Sequence, residues 1–249
     1  MKHFVMTAVL PAVLALSSAG VFADEHFFDS GGTQIRYTID GEGEPVILVH
    51  GYRANGDMNW RMPGVTRLLA NGYRVITIDN RGHGKSEEPR DDRYGIEMVN
   101  DVVRLMDHLQ LKDAHLAGYS MGGMITIKLL TLHPERVRSA VIGGMGWYRR
   151  SPGSDRGDET PADKYAKVAR DFHQLSTTEA EIQAIQTPLV VIVGTEDHGQ
   201  LDRVRDWQAA VPGLPVVYIE DAAHASCIFK PRFRESVLEF IERQSESER

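Results

Sequence analysis

One cysteine, Cys227, is all that the 249-residue chain contains. No intrachain disulfide can form, and no paired-cysteine zinc site exists. There is no HExxH pair and no cluster of histidines with carboxylates, so no resident metal is expected. Gly41-Glu42-Gly43 precedes its strand instead of following one, so it is not a phosphate loop and no cofactor is expected. Cations are in deficit: 28 Lys and Arg face 35 Asp and Glu, a net charge of −7. Nucleic acid is a poor partner for such a chain, because phosphate binding needs a basic face. No internal repeat is visible. With 42% hydrophobic and 25% charged residues, the composition excludes wholesale disorder and a multi-span membrane protein.

What is present begins with the first 23 residues. Met1-Lys2-His3 is a short basic start, Phe4 to Leu16 carries no charge, and small residues run from Ser17 to Ala23 before Asp24-Glu25. That order is a secretory signal with a cut after Ala23. Pro11 divides the uncharged run and its end is weakly apolar, which disfavours a permanent membrane anchor. The expectation is a signal peptide over 1–23 and an exported domain over 24–249, secreted or periplasmic, with no stable anchor after cleavage. Cleavage leaves 226 residues and, with Lys2 gone, a charge of −8. That length suits one α/β domain.

From residue 33 onward, short β-branched runs alternate with stretches of helical period, the pattern of a parallel sheet with crossover helices. Thr33–Ile39 reads as an early antiparallel strand. Val46–Val49, Arg74–Ile78, Ala114–Ala117, Ala140–Ile142, Leu189–Val193 and Val216–Ile219 read as further strands. Helices are expected at about Trp60–Ala70, Ile96–Leu109, Met121–His133 and Phe233–Ile241, before a polar tail over Gln244–Arg249. Ile96, Val99, Val102, Val103, Met106 and Leu109 share one face of the second of these. Between Trp147 and Gln186 the alternation breaks. About 40 residues between two sheet strands exceed a plain connection, and they read as a small lid with helices near Ala162–Leu175 and Thr178–Ile185.

Gly118-Tyr119-Ser120-Met121-Gly122 fits G-x-S-x-G, fed by an apolar strand and left by a helix. Such a turn lifts a strained serine above a sheet edge, and larger residues two before or two after it would collide. A serine hydroxyl needs a base to take its proton, and the base needs an orienting acid. Both should follow the serine at the ends of late strands. Asp197 lies just past Leu189–Val193, with Glu196 as its nearest rival. His224 lies in the loop after Val216–Ile219. Two amides suit an oxyanion hole: that of Met121, after the serine, and that of Tyr52, in the loop His50-Gly51-Tyr52 after Val46–Val49. His50 reads as a structural turn histidine. Trp60, Met145, Trp147 and Tyr148 are the candidates to face substrate. Arg149-Arg150 opens the lid, and Cys227 reads as a buried inert thiol.

These landmarks, together with Asp79-Asn80-Arg81-Gly82-His83-Gly84-Lys85-Ser86 and Gly194–Asp197, resemble the α/β-hydrolase fold family in kind and order across nearly all of the mature chain. The resemblance implies an eight-stranded, mostly parallel sheet flanked by helices, and a Ser120–His224–Asp197 triad. It assigns a structural role to Asp79–Ser86. Relatives with an aspartate nucleophile are disfavoured, since Ser120 holds that position. The lid looks shorter than the multi-helix caps of many relatives. The expected activity is hydrolysis of a small-molecule carboxylic ester through an acyl-enzyme. A C–C bond or lactone hydrolase using the same triad is the second reading, and a ligand receptor or binding protein on this scaffold is a third of a different class.

Overall fold

A computed structural model describes residues 24–149 and 163–247. The expected signal peptide, 1–23, lies outside the described residues, as does most of the polar start of the lid. Eight strands form one sheet in the order β1-β2-β4-β3-β5-β6-β7-β8. These are β1 (Asp24–Asp29), β2 (Gln34–Asp40), β3 (Glu44–Val49), β4 (Tyr73–Ile78), β5 (Ala114–Tyr119), β6 (Val137–Gly143), β7 (Leu189–Gly194) and β8 (Val216–Ile219). β2 is antiparallel to both β1 and β4, and every other pairing is parallel. The expected eight-stranded, mostly parallel sheet is therefore the observed one.

The central strands read as unbroken apolar runs because both of their faces are covered. In β3, Ile47 and Val49 join one core, while Val46 and Leu48 join the other. β7 splits the same way, with Val191 and Val193 opposite Val190 and Ile192, as the two-residue period of a strand requires. The first core is closed by α2 (Ile96–His108), α3 (Met121–Leu132) and α6 (His198–Ala210); the second is closed by α1 (Val65–Leu69) and α8 (Pro231–Ser247).

Several boundaries differ from the sequence reading. The single helix expected at Trp60–Ala70 is a π-helical turn, Asp57–Arg61, followed by α1. Gly64 separates them at φ 82°, a left-handed conformation that interrupts any continuous helix. α8 runs through the expected polar tail to Ser247, because Ser245 is buried against Tyr73 and His115. α6 and the edge strand β1 were not anticipated. In α6 only Leu201, Val204 and Trp207 are buried, which leaves little apolar signal on a mostly polar helix.

The lid is described from Asp163 onward. It contains α4 (Lys164–Arg170), a 3-10 turn (Asp171–Leu175) and α5 (Glu179–Gln183). Asp163 caps α4 by accepting from the Tyr165 and Ala166 amides, and Thr178 with Glu181 forms a reciprocal capping box on α5. Lys128 of α3 is 6% exposed, and its Nζ donates to Glu181 and to the Ser176 carbonyl, which ties the lid to the core.

Candidate active site

β5 delivers Ser120 and α3 leads away from it. Ser120 sits at φ 55°, ψ −115°, a conformation that only a surrounding structure can hold for a residue with a Cβ. What holds it is close backbone approach. A Cβ on Gly122 would lie 2.0 Å from the Val49 carbonyl oxygen, and one on Gly118 would lie 2.2 Å from that of Gly122. The glycines flanking the serine therefore let α3 pass directly over the end of β3. The Ser120 amide donates to the Gly143 carbonyl at 2.8 Å, fixing the turn to β6.

Asp197 follows β7 and is 8% exposed. His224 follows β8 and opens α7 (His224–Cys227), a single helical turn, so it is not in the loop expected from sequence. Its Nε2 lies 2.9 Å from Ser120 Oγ and its Nδ1 lies 2.6 Å from Asp197 Oδ2. The contacts fix the tautomer: Nδ1–H donates to the carboxylate, and the Nε2 lone pair faces the serine hydroxyl. Glu196 is not part of this chain of contacts. His198 begins α6 one residue beyond Asp197.

The Gly51 loop lies against the serine, since a Cβ on Gly51 would meet Ser120 Cβ at 3.2 Å. Among the described residues, neither the Tyr52 nor the Met121 amide donates a hydrogen bond within the protein. Met121 begins α3, so its free N–H is one of those a helix start leaves open, at the positive end of the helix. The Tyr52 side chain turns to the lid: its hydroxyl donates to the Tyr165 carbonyl at 2.8 Å, and its ring packs on Phe172, Tyr165 and His83.

His50 and the Asp79–Ser86 segment support this edge from below. Burial, reinforced by neighbouring His83, lowers the His50 pKa to about 3. Its Nδ1 donates to the Gly51 carbonyl and its Nε2 accepts the Asn80 amide, as a neutral imidazole must. Asp79, 1% exposed, accepts from the Gly56 and Lys85 amides and from Arg36. Arg81 grips Asp101 of α2 through two 2.7 Å bonds.

The four residues expected to face substrate separate. Trp60 is fully buried in the core under α8, with its ring centroid 6.4 Å from that of Phe233. It belongs to packing, because the π-helical turn points it inward. Met145, 2% exposed, packs beneath α3 against Gly123, also as core. Trp147 and Tyr148 line a cleft of about 240 Å³ with His173 and Arg203, and that lining does not include Ser120. The Trp147 indole N–H donates to Thr177 of the lid, the Arg149 guanidinium stacks 4.3 Å above its ring, and Arg203 sits over Tyr148. Arg150 lies outside the described residues.

The sequence reading gave no part to Tyr119, the variable residue of the turn. It is 4% exposed and contacts His224. Its only sequence signal was its position before the serine.

Residues 44–145 match the family model described as alpha/beta hydrolase fold. Over 119 residues the chain is 38% identical to RutD of Azorhizobium caulinodans, put forward as a carbamate hydrolase; the match covers 48% of this chain and 43% of that one. Over 126 residues it is 36% identical to the 2-hydroxy-6-oxo-6-(2'-aminophenyl)hexa-2,4-dienoic acid hydrolase of Metapseudomonas resinovorans, covering 48% of this chain and 42% of the relative. The chain thus spans less than half the length of the curated relatives it matches. Among solved structures, the enol-lactonase of Burkholderia xenovorans LB400 superposes with a TM-score of 0.73 at 24% identity, over 87% of this chain and 100% of that one. Sheet order, serine turn and the match over residues 44–145 agree that the chain has the α/β-hydrolase fold.

Proposed function

We propose that the protein is a serine hydrolase acting on a carboxylic ester through an acyl-enzyme. One observation carries the reading: the His224 imidazole spans Ser120 Oγ at 2.9 Å and Asp197 Oδ2 at 2.6 Å. Ser120 Oγ attacks the acyl carbon while its proton passes to His224 Nε2. The C=O electron pair moves to oxygen, and the Tyr52 and Met121 amides receive that oxyanion, each donor contributing on the order of 3–4 kcal/mol in such sites. The oxyanion collapses, the C–O bond to the alcohol breaks, and the leaving oxygen takes the proton from His224. Water then gives a proton to His224 and attacks the acyl-enzyme; the second oxyanion collapses, the Ser120 Oγ–acyl bond breaks, and Oγ takes the proton back from His224 as the acid leaves. Asp197 accepts from Nδ1 throughout, holding the tautomer and stabilising the imidazolium.

Lactone or C–C bond hydrolysis with the same three residues is the second reading. It is favoured by the neighbours named for an enol-lactonase and a dienoic acid hydrolase. A panel of p-nitrophenyl esters of rising acyl length, lactones and a vinylogous diketone separates the two by relative kcat/KM. Ser120→Ala should lower turnover of the preferred ester by about 10⁴-fold or more. Full turnover by that variant would remove the mechanism in either form.

A further inference from the structure

We propose that Tyr119 is the positioning residue for the base: its phenol hydroxyl clamps the α7 turn that carries His224, and so sets the distance from Nε2 to Ser120 Oγ. This rests on the hydrolase reading above and adds to it a residue outside the triad and oxyanion hole.

Four observations converge on that hydroxyl. Tyr119 Oη donates to the His224 main-chain carbonyl at 2.5 Å, the shortest tether between the serine turn and α7. Cys227, at the other end of the four-residue turn, and the Ile228 amide lie near enough to the same oxygen to act on its ionisation. The ring lies 5.8 Å from the His224 ring and edge-on to Phe233 of α8 at 5.6 Å. Burial, with Asp197 and Cys227 adding to it, raises the phenol well above its ordinary pKa, so it stays a donor wherever the enzyme works.

The far end of α7 is anchored in the core by Cys227 and Ile228, and the tether holds the other end, which carries His224. A turn of four residues is too short to be stable alone. Ala223 and Ser226 close it locally at an exposed position, and the His224 side chain is 43% exposed. Yet the ring must be held to within about half an ångström for proton transfer. Tyr119 is bonded covalently to Ser120, so fastening α7 to its hydroxyl refers the base directly to the nucleophile. Any shift of the turn then moves both partners together.

Tyr119→Phe tests this, since it keeps the ring packing and removes only the hydroxyl. The readout is the rate at which a small fluorophosphonate modifies Ser120, followed by intact mass across a pH series, with no substrate identity required. Expected is about a tenfold slower reaction per molecule, the size of one lost hydrogen bond, together with a changed pH midpoint for the base. On the preferred ester, kcat should fall while KM stays within about twofold. Unchanged rate and midpoint in Tyr119→Phe would overturn the inference. So would a loss matched by the unfolded fraction in thermal melts, because the surviving molecules would then react normally. Tyr119→Trp, which offers a ring N–H donor from another position, should not restore the rate; restoration would also overturn it. Wild type that is never modified at Ser120 would instead overturn the hydrolase reading itself.

Discussion

At the scale of single residues, the site depends on atoms kept out as much as on atoms brought in. Ser120 holds its φ of 55° only because α3 crosses β3 with nothing between Gly122 and the Val49 carbonyl. Gly122→Ala places a methyl 2.0 Å from that oxygen, and the backbone must yield. The expected cost is about 3 kcal/mol, the upper end for overpacking, measured by urea unfolding, with Ser120 losing its alignment to His224. A fully stable and active Gly122→Ala protein would mean that the turn is looser than described. The glycines and the serine were legible because such a turn tolerates few residues. Tyr119 was not, since the variable position of the motif carries no steric demand and its partner lies 105 residues away.

At the scale of elements, the segment after β4 joins β2, α2 and the loop bearing the Tyr52 amide. Arg81, 3% exposed, and Asp101, fully buried, form an ion pair that also accepts the Ser30 hydroxyl. Breaking a buried pair from one side leaves an uncompensated charge. Asp101→Asn should therefore lower stability by about 3–5 kcal/mol, seen as a drop in the urea midpoint, whereas a surface pair such as Arg205–Asp202 should change it by less than about 1 kcal/mol. Strands with both faces covered announced themselves as apolar runs, and β8 was legible to the residue. Trp60 misled because an aromatic residue in an irregular stretch gives no period from which to read its direction. Its turn is π-helical, and the ring points into the core.

At the scale of the molecule, seven of the eight strands were legible as short apolar runs between helical stretches, and the eighth, the edge strand β1, was implied only by the family resemblance. The substrate side was not legible, because it depends on how the lid settles on Tyr52 and α3, and lid contacts follow no repeating pattern. The buried neutral histidine gives a global consequence. His50 has a folded pKa of about 3 against 6.5 for a free imidazole, so between those values the unfolded chain binds a proton that the folded chain does not. Its contribution to stability is complete above about pH 6.5 and is lost as pH falls toward 3. The stability gap between wild type and His50→Gln should narrow as pH is lowered from about 7 to about 4. A gap that is constant or widens would show that His50 is charged in the fold.

The central claim is that Ser120 becomes acylated. Rapid acid quench during turnover of the preferred p-nitrophenyl ester, followed by peptide mass analysis, tests it most directly. The account predicts the acyl mass on the peptide containing Ser120, at up to one per chain, and none in Ser120→Ala. Acyl mass on another residue, or turnover with no acylated peptide in a quench fast enough to catch it, would contradict the account.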